Sequence, residues 1–196
     1  KGWVIGETLI TGIGQGYTQT TPLQLCLMTA QLANGGYKIF PKIIVDKNDD
    51  TAEKIKLLME KNSKNLKDPK NTLKEAGEEL LGFSDEVKYK PLFRDPKNIK
   101  LVIEAMFAST NEVRGTSYSS RIENPKYQFA GKTGTSQVKR ITKKDRELDL
   151  NISEIPYNER DHALYIAFGP YKKPRYALSI VIEHGGSGSS TAAPIA

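Results

Sequence analysis

Hydrophobic positions along the chain fall into blocks separated by polar or glycine-rich stretches, and each block carries its own period. Leu23, Leu25, Leu27, Met28, Ala30, Leu32 and Ala33 follow Thr20-Thr21-Pro22, where Pro22 suits a first helical position. This block is apolar nearly all round, which predicts a well-buried helix of about 13 residues. Asn34-Gly35-Gly36 stops it with residues that tolerate left-handed backbone. Tyr37 to Val45 is rich in β-branched and aromatic residues and predicts a short strand interrupted by Pro41. A further helix is predicted from Asp95-Pro96, with Asp95 as cap, Pro96 in the first turn, and Ile99, Val102, Ile103, Met106 and Phe107 at helical spacing. Residues 111–124 are polar around Gly115 and predict a loop.

The last third changes period. Tyr127 to Val138, His162 to Phe168 and Tyr176 to Glu183 predict three strands, the last two joined by a hairpin connection at Gly169-Pro170-Tyr171-Lys172-Lys173-Pro174. Residues 139–160 are charged and predict a loop with some helix. Helices first and strands last make an α+β domain. Residues 46–90 stand apart as a Lys/Asn/Asp/Glu-rich surface insertion with short helical patterns near 51–60 and 72–81.

Composition narrows the class. Of 196 residues, 38% are hydrophobic and 27% charged, with a mean hydropathy of −0.49. No apolar run approaches the roughly 18–20 residues needed to cross a bilayer. The net charge of +6 comes with acids interleaved among the lysines, which reads as a solvated face and not a nucleic-acid stripe. A single cysteine, Cys26, excludes an internal disulfide, and its apolar neighbours predict a buried thiol. His162 and His184 are far apart in sequence and lack metal-ligand spacing, so no metal and no cofactor is implied.

Candidate chemistry reduces to a few motifs. Gly131-Lys132-Thr133 cannot open a phosphate-binding loop, because Lys126 stands where the first glycine belongs. Gly12-x-Gly14-x-Gly16 has no preceding strand and reads as a flexible entry to the 22–33 helix. His184-Gly185-Gly186-Ser187-Gly188 reads as a glycine-rich exit from the last strand, because the chain has no Gly-x-Ser-x-Gly elbow. Lys132-Thr133-Gly134-Thr135 remains. It combines a point charge suited to a carboxylate, hydroxyls for directional hydrogen bonds, and a glycine against which an extended peptide can lie.

Lys132-Thr133-Gly134 is the third signature of penicillin-recognising serine enzymes. Around it, Ile13-Gly14-Gln15-Gly16-Tyr17 with Thr20-Thr21-Pro22-Leu23-Gln24, then Phe129 to Val138, Glu159 to Leu164, Ala167 to Tyr171 and Glu183 to Gly188 run in the same order as in class B, monofunctional penicillin-binding proteins. The chain resembles these proteins, and within them the penicillin-binding protein 2 group of cell elongation and cell shape. The resemblance implies that residues 1–196 are the C-terminal portion of a transpeptidase domain. Its fold would be a β-lactamase-like antiparallel sheet flanked by helices, with about three of the five strands present. A last helix would begin at Ala192. The family's Ser-x-x-Lys and Ser-x-Asn motifs lie upstream of the Gly-Gln-Gly segment, and the chain carries no Ser-x-x-Lys in the right context.

The resemblance also implies a reaction and its setting. The full-length protein would be a serine D-Ala-D-Ala transpeptidase acting on peptidoglycan stem peptides and acylated by β-lactam antibiotics. It would sit at the periplasmic face of the inner membrane, with a transmembrane anchor and a membrane glycosyltransferase partner engaged through an N-terminal region. The fragment alone would be inactive, and its uncovered strands would suit it to pair with a second copy as a dimer. Lys132 would act in catalysis by supporting proton transfer, and would bind substrate together with Thr133, Gly134 and Thr135. The Thr135 N–H would supply half of the oxyanion hole. A β-lactam sensor domain and a β-lactamase-like protein are the alternatives. One geometric condition follows from strand alternation: Lys132 and Gly134 face one side and Thr133 and Thr135 the other, so they share a site only along a strand edge.

Overall fold

The computed structural model describes residues 2–43, 92–139 and 150–196, together with positions 53, 54, 57 and 147. The 46–90 insertion and its two helical patterns therefore lie almost wholly outside the described residues.

A helix the glycine pattern hid comes first. α1 spans Ile5–Gly12, and the Glu7 carboxylate accepts the Val4 N–H at 2.9 Å. The segment before Pro22 is thus helix followed by turns, with Gly14 and Gly16 at positive φ (78° and 86°), a region glycine enters without steric cost. α2 spans Pro22–Ala33. Thr21 Oγ1 accepts from the Gln24 N–H at 3.2 Å while Gln24 Oε1 accepts from the Thr21 N–H at 2.8 Å, a reciprocal cap that fixes the start. The well-buried expectation is corrected: only Thr29, Leu32 and Ala33 are buried, and Leu23 keeps 63% of its surface exposed. α2 lays one side on the sheet, and nothing among the described residues covers the other. Cys26 is half-buried, its thiol directed at the Ala177 carbonyl at 3.4 Å.

The expected strand from Tyr37 does not form within the described residues: Tyr37 makes an isolated bridge, and Lys38 to Ile43 are irregular. Asn34 explains why. Its Oδ1 accepts from the Tyr37 N–H at 2.9 Å and its Nδ2 donates to the Tyr37 carbonyl at 3.1 Å, occupying the backbone groups a strand partner needs. α3 spans Pro96–Asn111 as the spacing predicts, with the Asp95 carboxylate accepting the Lys97 N–H at 2.9 Å and with Ile99 and Met106 buried.

The three strands are β1 (Ala130–Ser136), β2 (His162–Gly169) and β3 (Tyr176–Ile182), antiparallel in the order β1-β2-β3. Alternation splits their side chains between two packed layers. Ala163, Tyr165 and Ala167 meet Leu178, Ile180 and Ile182 and the C-terminal Ala192 and Ala193. On the other side Ala130 and Phe168 meet Leu32 and Ala33 of α2 and Met106 of α3. The final helical backbone begins earlier than expected, as a π-helical turn at Gly188–Ala192 followed by a 3-10 turn at Ala193–Ile195. The described elements form an α+β fold with an incomplete antiparallel sheet.

Candidate functional site: the exposed edge of β1

Among the described residues β1 pairs with β2 alone, so its other edge is open. Antiparallel pairing turns alternate residues toward and away from the neighbour. The Gly131 N–H turns away from β2 and donates to Thr110 Oγ1 at 3.1 Å. The same parity sends the N–H and C=O groups of Thr133 and Thr135 outward along the edge. Lys132 Nζ is already there, donating to the Thr133 carbonyl at 2.7 Å and reaching Thr133 Oγ1 at 3.4 Å. The edge is thus the one place where a lysine on one face and threonines on the other come together. Lys132 and Thr135 are exposed, and Thr133 and Gly134 are half-buried. A Cβ on Gly134 would meet only the Leu164 Cβ, at 3.3 Å, so the strand is narrow there without being blocked. An ammonium, two hydroxyls and outward N–H groups make an edge suited to an extended ligand with an anionic end.

Several residues that the sequence reading passed over hold this edge. Thr110, Ser117 and Tyr165 are fully buried behind β1. Tyr165 Oη donates to Ser117 Oγ at 3.0 Å and lies 3.1 Å from Thr110 Oγ1. Ser117 Oγ in turn donates to the Ser109 carbonyl at 3.1 Å. Asn111 Nδ2 donates to the Phe129 carbonyl at 2.9 Å, fixing the entry to β1. Of these, Thr110 alone had a signal, since it continues the apolar stripe of Ile99, Ile103 and Met106 at helical spacing.

Among the described residues, two literal matches to the missing motifs resolve against catalysis on geometry. Ser136-Gln137-Val138-Lys139 reads Ser-x-x-Lys, but Ser136 ends a strand, where this spacing sends side chains to opposite faces. Lys139 Nζ pairs with Glu159 Oε2 at 2.8 Å. Ser109-Thr110-Asn111 reads Ser-x-Asn, and there Asn111 Nδ2 is spent on the Phe129 and Phe107 carbonyls. The two histidines, distant in sequence, are neighbours in space: their ring centroids lie 4.8 Å apart, and the His184 N–H donates to His162 Nδ1 at 2.9 Å. Pairing of β2 with β3 and the turn after β3 bring them together. No group of three or more ligand-type side chains forms among the described residues.

The sequence matches the penicillin-binding protein transpeptidase domain across residues 1–196. The chain belongs to the penicillin-binding protein transpeptidase domain family. A peptidoglycan D,D-transpeptidase MrdA from Salmonella typhimurium strain SL1344 is 33% identical over 202 residues, covering 100% of this chain and 26% of that protein. MrdA from Acinetobacter baumannii is 32% identical over 196 residues, covering 98% of this chain and 24% of that protein. Among solved structures, Pseudomonas aeruginosa PBP2 in complex with WCK 5153 aligns at a TM-score of 0.63 with 32% identity, covering 100% of this chain and 32% of that one. Helicobacter pylori PBP2 in complex with MreC aligns at 0.65 with 26% identity, covering 100% and 26%. This transpeptidase-family chain therefore spans about a quarter of the length of the curated relatives it matches. The open edge of β1 and the layers around it belong to a penicillin-binding protein fold.

Proposed function

We propose that the protein carrying this chain is a peptidoglycan D,D-transpeptidase of cell elongation and cell shape, and that residues 1–196 are the C-terminal portion of its transpeptidase domain, with 46–90 as a surface insertion. The observation that carries the reading is the open β1 edge, where Lys132, Thr133, Gly134 and Thr135 converge within a chain that matches the domain over its whole length.

On this reading a serine contributed from outside residues 1–196 attacks the penultimate D-Ala carbonyl of a stem peptide. The ester bond to the serine forms, the peptide bond breaks, and the terminal D-Ala leaves as an amine that takes up a proton. An amine of a neighbouring strand then displaces the serine, forming the cross-link and restoring the hydroxyl. Lys132 holds positive charge beside the donor carboxylate and supports proton transfer. The Thr133 and Thr135 hydroxyls bind that carboxylate, Gly134 leaves space along the strand, and the outward Thr135 N–H supports the oxyanion; one such donor is typically worth about 10²–10³ in rate. β-Lactams mimic the donor and stall at the acyl stage. The setting is the periplasmic face of the inner membrane, with an upstream anchor and a membrane glycosyltransferase partner.

Fluorescent penicillin tests the reading. The full-length protein is expected to become covalently labelled, and Lys132→Ala to slow labelling about 10- to 100-fold, the size of a lost charge-assisted contact. Residues 1–196 alone are expected to stay unlabelled. Absence of labelling in the full-length protein, or stoichiometric labelling of the fragment, overturns the proposal, and steady nitrocefin turnover would instead indicate a β-lactamase.

A further inference from the structure

One segment touches the β1 edge from behind without belonging to it. Gly115-Thr116-Ser117 folds back on the C-terminal turn of α3: the Ser117 N–H donates to the Ser109 carbonyl at 3.0 Å, and the Gly115 N–H to the Glu112 carbonyl at 2.8 Å. A Cβ on Gly115 would overlap the Ser109 and Ala108 carbonyls, so the fold-back requires glycine. From this seat two hydroxyl chains run to β1. The buried one runs from the Gly131 N–H, which donates to Thr110 Oγ1, through the Thr110–Tyr165 hydroxyl contact at 3.1 Å, to Tyr165 Oη donating to Ser117 Oγ and Ser117 Oγ donating to the Ser109 carbonyl, with the Met106 carbonyl a second acceptor for Thr110 at 3.4 Å. All three residues are fully buried, so cutting a link costs a buried hydroxyl one of its partners. The second chain is exposed: Ser109 Oγ lies 3.1 Å from Thr116 Oγ1, which lies 3.4 Å from Thr133 Oγ1, which lies 3.4 Å from Lys132 Nζ. At 3.4 Å both contacts are long for hydrogen bonds, so they orient the Thr133 hydroxyl toward Thr116 and Lys132 while a ligand oxygen can still take a shorter bond to it.

We infer that Thr116 is a positioning residue: by holding Thr133 Oγ1 beside Lys132, it sets the strand edge to receive the carboxylate of the donor peptide or of a β-lactam. Thr116 is held against α3 by the backbone bonds of its flanking residues and by the 3.1 Å contact of its hydroxyl with Ser109 Oγ, which gives Thr133 a reference point on the helix. The inference rests on the proposed function. The buried chain sets the backbone height of β1, and Thr116 acts on the side-chain rotor alone, so its loss should alter recognition without unfolding the strand.

The test uses full-length protein, with Thr116→Val and Thr116→Ser compared with the unmodified chain. Acylation rates are measured with a penicillin and with its methyl ester, whose masked carboxylate carries no charge and accepts the Thr133 hydrogen bond much more weakly. Thr116→Val is expected to slow acylation by the free acid about three- to tenfold, the worth of one hydrogen bond, while leaving the slower ester reaction unchanged. Thr116→Ser is expected to restore the free-acid rate. Equal losses for acid and ester, or no loss for either, overturn the role of Thr116 while leaving the transpeptidase reading intact. Failure of the unmodified protein to acylate at all overturns both.

Discussion

Gly131 and Gly134 lie on the same strand and answer to different neighbours. A Cβ on Gly131 would overlap the Tyr165 hydroxyl, itself fully buried, whereas a Cβ on Gly134 would press only on the Leu164 Cβ at 3.3 Å. Gly131→Ala should therefore cost about 1–3 kcal/mol in stability through overpacking and disruption of the buried hydroxyls. Gly134→Ala should leave the melting temperature of the full-length protein nearly unchanged and slow its reaction with penicillin; paired unfolding and labelling measurements separate the two. Tyr171 offers a pH test at the same scale. Burial, and secondarily the Glu104 carboxylate, raises its phenol above the ordinary value of 10.0. The folded state therefore favours the neutral phenol. That preference is intact below the unfolded value and is lost as pH rises through the folded one. Tyr171→Phe keeps the ring packed on Phe107, centroids 4.2 Å apart, and should flatten the fall in melting temperature between about pH 9 and about pH 11.

At the scale of elements, local signals were strongest where the chain supplies its own stop and start. The reciprocal Thr21–Gln24 cap and the Asp95 cap place α2 and α3 where spacing predicts them. Thr21→Ala should cost about 1 kcal/mol in urea unfolding, the usual worth of a helix cap. In the strand expected from Tyr37, the Asn34 side chain takes both backbone groups of Tyr37 on one side, a local competition invisible to a propensity argument. α1 was hidden because its residues precede a glycine run that drew the reading toward a flexible segment. The strands of the last third survive because β-branched and aromatic residues recur between turn signals, although β1 is shorter at both ends than its pattern suggests.

At the scale of the whole molecule, the described residues leave much apolar surface open. Every side chain of α1 keeps some exposure, with Ile5 at 83% and Leu9 at 70%, and Leu23 of α2 and Leu101 of α3 are also exposed. Residues 1–196 in isolation should bind a hydrophobic dye such as ANS and self-associate as concentration rises, seen by light scattering. A dye-silent, cooperatively melting monomer would contradict this.

Read alone, the amino-acid order determined the α+β class, α2, α3 and the three strands, the Lys132-to-Thr135 candidate and the family, because caps, periodicity and short motifs are local or ordered along the chain. Tertiary structure decided that β1 is an edge among the described residues, that His162 and His184 meet, and that Thr110, Ser117 and Tyr165 back the strand. Each of these depends on which segments pair and fold back on one another, a property of long-range packing that no local pattern encodes.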